Sequence, residues 1–347
     1  MTISASDLRG RVAEVFCAAN CPEPVAQRVA ASLVENNLTG HDSHGVIRVP
    51  YYVRCVQEGR VQPRAELRVV KESAAMAVLD CGYNFGQVAA KQGMELAIAK
   101  AQEHDIAIVA LQRCTHTGRL GEYVVMAAEQ GLMGLMVCNG TARGGIVAPF
   151  GGVGRALGSN PIAWGIPGRN GRPIFLDYAT SMCAQGKIQV AADKGGELPE
   201  GWLLDKHGQP TRNPHDQFDG GAMLPFGGHK GYALSVLVEL VAGGLSGAGP
   251  ALLPAFQRIQ GVVQIAVNWE AFQDGDSHRQ MVAEFSERLK GTRRADDCDE
   301  ILLPGEPEWR CKEARERDGI PLPERTWDRI CETAADLGLE WNRGEGV

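Results

Sequence analysis

The chain has 347 residues, 44% hydrophobic and 22% charged, with a formal net charge of -7. That length allows two compact domains with a sizeable core. The acidic balance, without a dense Lys/Arg stripe, argues against nucleic acid as a partner. The longest apolar runs, such as Leu132–Cys138, are far too short to span a bilayer.

In chain order, residues 4–60 read as helical. Leu8, Val12, Val15 and Phe16 form one apolar stripe, and Val25, Val29, Leu33 and Leu38 form another. Pro24 suits a first helical turn. A polar motif at residues 40–45 interrupts, and residues 46–58 resume the helical pattern. Strands are then predicted at Leu67–Val70, Ala75–Leu79, Ile106–Leu111 and Leu132–Cys138, with helices at Gly86–His104 and Glu122–Gln130. Residues 140–230 are rich in Gly and Pro, with short strands at Pro161–Ile166 and Ile174–Tyr178. A helix at Gly231–Ala242, a strand at Gly261–Val267 and a helix at His278–Lys290 follow. A polar tail of helices and turns closes the chain, its last helix at Trp327–Leu337.

The alternation implies a mixed α/β body. The expected division is a mainly helical domain from residues 1–70 plus 291–347, into which an α/β domain of residues 71–290 is inserted. Ten cysteines occur without a CxxC pair. The N-terminal residues carry Ser/Asp helix-start chemistry and no signal peptide, so reduced thiols in the cytoplasm are expected.

The densest chemistry lies in Gly40-His41-Asp42-Ser43-His44-Gly45-Val46-Ile47-Arg48. An Arg can hold a carboxylate by its planar fork, while a His four residues earlier moves the proton that accompanies hydride transfer. The bland alternative is a polar helix junction, with Ser43 as cap, Asp42 at the positive end of the helix and His41 on the surface. The His spacing does not suit zinc, and no third ligand follows. Cys114-Thr115-His116-Thr117-Gly118-Arg119-Leu120 follows a strand, where ligands are often met. His116 offers an acid/base and Arg119 a phosphate partner; an exposed turn is the alternative. Asn160, after Ser159, offers a donor and an acceptor to a nicotinamide amide or a hydroxyl, or simply makes an Asn-Pro turn. Thr180 and Ser181, after Asp177-Tyr178-Ala179, suit capping of a following helix and anion binding. His229-Lys230, after two glycines, suits a phosphate at a helix start. No G-x-G-x-x-G follows a strand, so a Rossmann cofactor site is not expected. Pro304-Gly305-Glu306-Pro307 reads as a rigid turn.

Seven segments in order, HDSHGVIRVPYY, THTGRLGEY, VAPFGG, GSNPIAWGIP, FLDYATS, GGHKGYALSVLVELVAGGLSGA and LLPGEPE, resemble the malate/L-lactate dehydrogenase family of the non-Rossmann type. That family includes diketogulonate reductase, ureidoglycolate and sulfolactate dehydrogenases and Δ1-piperideine-2-carboxylate reductase. The resemblance implies an α/β (α+β) oxidoreductase fold and a homodimer with its active site between domains. It implies reduction of a small 2-oxo acid or cyclic imino acid by NAD(H) or NADP(H), leaning to NAD(H), or the reverse reaction. By match, His44 is the proton donor, Ser43 orients it, and Arg48 holds the substrate carboxylate. His116 is an acid/base in some members, and its loop Thr117, Gly118, Arg119, Leu120 lines the cofactor. Ser159 and Asn160 match substrate or nicotinamide contacts. Asp177, Tyr178, Ala179, Thr180, Ser181, His229, Lys230, Gly305 and Glu306 match cofactor-binding positions. Imine-reducing relatives carry an Asp after the Ala-x-Gly that follows Thr-Ser, whereas Ala184-Gln185-Gly186 here precedes Lys187. That favours the hydroxy-acid reading over the imine reductase. A catalytically inactive ligand-binding relative is the alternative of another class.

Overall fold

Ser4 starts the first helix by accepting a hydrogen bond from the Asp7 amide at 3.1 Å, a side-chain cap worth about 1 kcal/mol. The structure, a computed structural model, describes residues 1–140 and 142–341; the last six residues of the expected helical domain lie outside them. The elements run β1 (Thr2–Ile3), α1 (Ala5–Ala18), α2 (Glu23–Leu38), α3 (Val49–Gln57), β2 (Arg68–Glu72), β3 (Met76–Asp80), α4 (Gly86–His104), β4 (Ile106–Cys114), α5 (Gly121–Glu129), β5 (Leu132–Cys138), β6 (Ile162–Ile166) and β7 (Ile174–Tyr178). They continue with α6 (Gln185–Asp193), β8 (Leu203–Leu204), β9 (Pro210–Thr211), β10 (Ala222–Met223), α7 (His229–Ser246), β11 (Gln260–Asn268), α8 (Gly275–Lys290), α9 (Glu306–Asp318), β12 (Ile320–Pro321) and α10 (Glu324–Asp336).

The two ends of the chain meet. β1 pairs antiparallel with β12, and one apolar core draws Leu8, Val12, Phe16, Val29 and Leu33 together with Ile320, Ile330 and Ala334. The middle of the chain forms a seven-stranded sheet of order β2-β3-β4-β11-β5-β6-β7. Only β3 and β4 run parallel, joined by the crossover helix α4. The other neighbouring pairs are antiparallel, so the absence of a dinucleotide fingerprint agrees with a sheet that is not doubly wound. One sheet face packs Ala89, Met94 and Ala97 of α4 and Val124 and Ala127 of α5. Gly134 and Gly165 are cross-strand neighbours beneath α5. A Cβ on either would come within 3.1 Å of Val124 backbone atoms, so the pair sets the close approach of helix to sheet. On the other face, Val238 and Ala242 of α7 cover Ala110, Val137 and Val263.

The Gly/Pro-rich region is more structured than its composition suggests. It contains a three-stranded sheet, β10-β8-β9, and α6, which share a small core of Val147, Leu157, Ile188, Leu203 and Met223. Three local expectations change. α6 starts at Gln185 with Ala184 at its cap, so Thr180 and Ser181 do not cap it; their hydroxyls donate to the carbonyls of Ser159 and Cys183. The turn at Pro304–Pro307 opens α9, with Pro307 in its first turn. Ser43 and Asp42 lie in a 3-10 turn, residues 42–44, rather than capping a continuous helix.

All ten cysteines are free thiols. Among the described residues, no helix is long and apolar enough to cross a membrane.

Candidate active site

The motif at residues 40–48 is held by the C-terminal end of α2. Asn36 donates to the His44 carbonyl at 3.0 Å. Asn37 donates to Asp42 at 2.7 Å and accepts from the Val46 amide at 2.8 Å. Gly45 is required there, because a Cβ would stand 2.2 Å from the Asn37 oxygen. Asp42 pairs with Arg315 of α9 at 2.7 Å, and the half-buried His41 meets Glu308 of the same helix at 3.3 Å. Those two residues therefore bind the two ends of the chain together, and His41 is not a free surface residue.

With the turn fixed, Ser43 Oγ lies 3.1 Å from His44 Nδ1. Arg48 Nε donates to the Ser43 carbonyl at 2.7 Å, which leaves the Nη1/Nη2 edge of the fork for a ligand. His116 arrives from the loop after β4, and its ring lies parallel to that of His44, 6.0 Å between centroids and 6° apart in plane. The loop is pinned at the start of α4: the Gly86 amide donates to Thr115 Oγ1 at 2.9 Å, and a Cβ at Gly86 would stand 2.4 Å from the His116 carbonyl oxygen. Behind His116, Tyr52 Oη sits 2.6 Å from Nδ1 and receives a hydrogen bond from Gln87 Nε2 at 2.8 Å. Gly186 of α6 closes the opposite side, where a Cβ would come within 2.7 Å of Ser43 Cβ and 3.8 Å of Arg48 Nη2.

These surroundings disfavour charge on either imidazole. Burial, followed by the neighbouring His116 and Arg48, holds His44 well below the usual histidine range. Burial and then Arg48 bring His116 down to about 3. Both rings are thus neutral at neutral pH before a ligand arrives.

The remaining predicted residues divide into buried supports and an open strip. Thr117, Arg119 and Leu120 are buried, and Gly118 takes a left-handed conformation at φ +82. The Thr117 amide and hydroxyl both donate to Gln260. Arg119 is 5% exposed, donates to Asn36 at 3.1 Å and lies over the Phe175 ring. It is therefore not an open partner for a ribose phosphate, although its Nη1 has no hydrogen-bond partner. Asp177 accepts from the Gly121 amide at 2.7 Å; burial raises its carboxyl and the Arg119 charge opposes the rise. Asn160, at φ +40, spends its side chain on the Gly140 amide, Ser235 and Glu239, so only its backbone is left for a ligand. Ser159 lends its carbonyl to Thr180.

Tyr178, His229 and Lys230 are exposed. Tyr178 packs edge-on against Phe226, Ala179 follows it, and Ser181 bridges to Pro225. Residues 181–186, with Ser181 and Cys183 buried, connect the two regions: Ser181 bridges to Pro225 ahead of α7, and Gly186 lies against Ser43 and Arg48. Gly305 and Glu306 stand elsewhere, at the other end of β7: Gly305 abuts the Phe175 ring, and Glu306 pairs with Lys290 at 2.7 Å. Sequence reasoning missed Glu239, a buried carboxylate on α7 that accepts from Asn139, Gly158, Asn160 and Ala251. The lone acid in the run SVLVELVAGG was its signal. Tyr52 and Gln87 were also missed as partners of His116. Among the described residues, no group of His, Cys, Asp and Glu could hold a metal.

Known proteins agree with this architecture. The family profile described as malate/L-lactate dehydrogenase matches residues 3–331. Hydroxycarboxylate dehydrogenase B of Escherichia coli K12 is 37% identical over 342 residues, which span 96% of this chain and 94% of that protein. The malate dehydrogenase structure from Pyrococcus horikoshii superposes with a TM-score of 0.89 at 31% identity, covering 99% of this chain and 97% of that one. The Δ1-piperideine-2-carboxylate reductase of Pseudomonas syringae does so at 0.85 and 32%, covering 96% and 100%. With nearly its whole length matched in sequence and in structure, the chain belongs to the malate/L-lactate dehydrogenase family.

Proposed function

We propose that the protein is an NAD(P)-dependent oxidoreductase that moves a hydride between nicotinamide and C2 of a small 2-hydroxy or 2-oxo carboxylic acid. The observation that carries this reading is the convergence of Arg48, His44 and His116 in one enclosed cluster. The bound nicotinamide supplies or accepts the hydride. Its pyrophosphate suits the first turn of α7, where Gly227 and Gly228 have positive φ and Lys230 is exposed. Arg48 grips the carboxylate through its Nη edge and fixes C2 against the histidines. In oxidation, neutral His44 accepts the hydroxyl proton as the hydride leaves. In reduction the same nitrogen must carry that proton, and the arriving carboxylate offsets the Arg48 charge that otherwise disfavours it. Proton uptake thus accompanies binding of the oxo acid.

The cofactor is NAD(H) or NADP(H), with a slight lean to NAD(H). With Arg119 buried, the exposed Lys187 is a candidate partner for a 2′-phosphate. A homodimer in the cytoplasm is also proposed. α7 presents Leu237, Leu240, Val241 and Leu245, 40–59% exposed, as one apolar stripe that a second copy would cover. A monomer by light scattering would reject that assembly.

The test of function is initial-rate cofactor oxidation with NADH and NADPH against a panel of 2-oxo acids and Δ1-piperideine-2-carboxylate. Turnover of an open-chain oxo acid supports the proposal and names the cofactor. Turnover of the imine alone, or of pyruvate only when methylamine is added, would replace it with imine reduction, the activity named for one structural relative. Failure to bind either cofactor would leave an inactive ligand-binding relative.

A further inference from the structure

We infer that Tyr52 and Gln87 act as positioning residues which fix His116 as the tautomer protonated on Nε2, making it a neutral hydrogen-bond donor to the reacting oxygen and leaving proton transfer to His44. This deepens the proposed hydride-transfer reading and rests on it only for the role, not for the tautomer.

The argument is a count of protons. Tyr52 Oη accepts a hydrogen bond from Gln87 Nε2 at 2.8 Å, so its own single hydrogen goes to the other neighbour, His116 Nδ1, at 2.6 Å. Nδ1 is then an acceptor, and a neutral ring must carry its hydrogen on Nε2. A proton added at Nδ1 would oppose the tyrosine hydrogen. The groups facing the ring from the other elements are Arg48, His44 and Tyr52. Arg48 repels a second positive charge, and Tyr52, enclosed by protein, keeps its proton. Gln87 is completely buried on α4; its backbone carbonyl accepts from Arg28 at 3.1 Å, and its side-chain Oε1 has no hydrogen-bond partner, so Nε2 towards Tyr52 is the bond its amide makes.

A neutral imidazole donating from Nε2 stabilises a developing alkoxide without releasing its proton, as an oxyanion-hole donor does. His44, which has no such clamp and only Ser43 Oγ on its Nδ1, is then free to change protonation state in the reaction. The two parallel rings have different duties.

The test uses the full-length protein labelled with 15N-histidine and two-bond 1H–15N NMR at neutral pH, with the His116→Gln variant identifying the His116 signal. The expected result is a neutral Nε2–H tautomer in the wild type without any substrate. An Nδ1–H tautomer, the outcome if Gln87 accepts and Tyr52 takes a proton from the ring, would overturn the assignment, as would a cationic ring. Gln87→Glu should convert the signal to Nδ1–H, since a carboxylate would claim the tyrosine proton. In that variant kcat should fall roughly 100-fold, the loss of one such donor, while KM for the carboxylate changes little because Arg48 is untouched. If Gln87→Glu does not fold, Tyr52→Phe should yield a mixture of tautomers. An unchanged tautomer in either folded variant would refute the positioning role. The tautomer is read without turnover, so failure of the hydride-transfer reading would leave it intact and be recognised separately.

Discussion

Replacing Arg48 by Met separates two effects that the guanidinium exerts together. Its Nη edge is the proposed carboxylate clamp, and a charge-assisted pair of this kind contributes about 1.5–3 kcal/mol. Loss of the pair should therefore raise KM for the oxo acid roughly 10- to 150-fold. The same charge lowers the proton affinity of both histidines, as the second neighbouring group after His116 for His44 and the only charged cause for His116. Removing it should move the ionisation of His44 upward. In reduction, kcat/KM requires the protonated acid and falls about tenfold per pH unit above the ionisation of the free enzyme. That falling limb should shift to higher pH in the variant. In oxidation the neutral base is needed, so the rising limb should shift in the same direction. Because burial is the first cause for His44, the shift should be partial and the ring should remain below the ordinary histidine range. Arg48→Lys, which keeps charge but loses the fork, should raise KM without displacing the profile. The assay is initial rates from pH 5 to 9 in both directions with saturating cofactor. An unchanged KM in Arg48→Met would refute the clamp, and an undisplaced profile would refute the electrostatic coupling.

Three further outcomes are expected. His44→Ala should lower kcat by about 100-fold or more in both directions with little change in Tm, since its side chain bonds only Ser43; near-wild-type turnover would reject the assignment. Gly186→Ala would force its Cβ to within 2.7 Å of Ser43, an overpacking cost of about 1–3 kcal/mol that should appear as a raised KM for the carboxylate, and wild-type kinetics would show that α6 does not shape the site. Glu239→Gln places an amide nitrogen against two of the four donors that now meet the carboxylate, so stability should drop by roughly 2–4 kcal/mol, read as a lowered denaturation midpoint; an unchanged midpoint would mean that the loops it ties are held by other contacts.

The amino-acid sequence by itself determined the periodic elements and the local chemistry. The strands at Leu132–Cys138 and Ile174–Tyr178 and the helix at Gly86–His104 stand where their patterns placed them, because burial of one face imposes a period that sequence displays directly. Ser43, His44 and Arg48 were legible for a similar reason, lying within one turn whose spacing is local. Elements without an apolar period were only partly legible. α6 buries only Ile188 and α9 buries no residue fully, so the sequence reading expected a helix after Ser181 and helices in the polar tail without fixing the bounds of either. The tertiary structure alone decided what faces what. It spent Asn160 and Arg119 on internal bonds and carried Gly305 away from Ser181. It also set His116 beside His44 with Tyr52 and Gln87 behind it. Hydrogen-bond partners and charge states depend on distances across the fold, and a linear chain does not encode those until its core has packed.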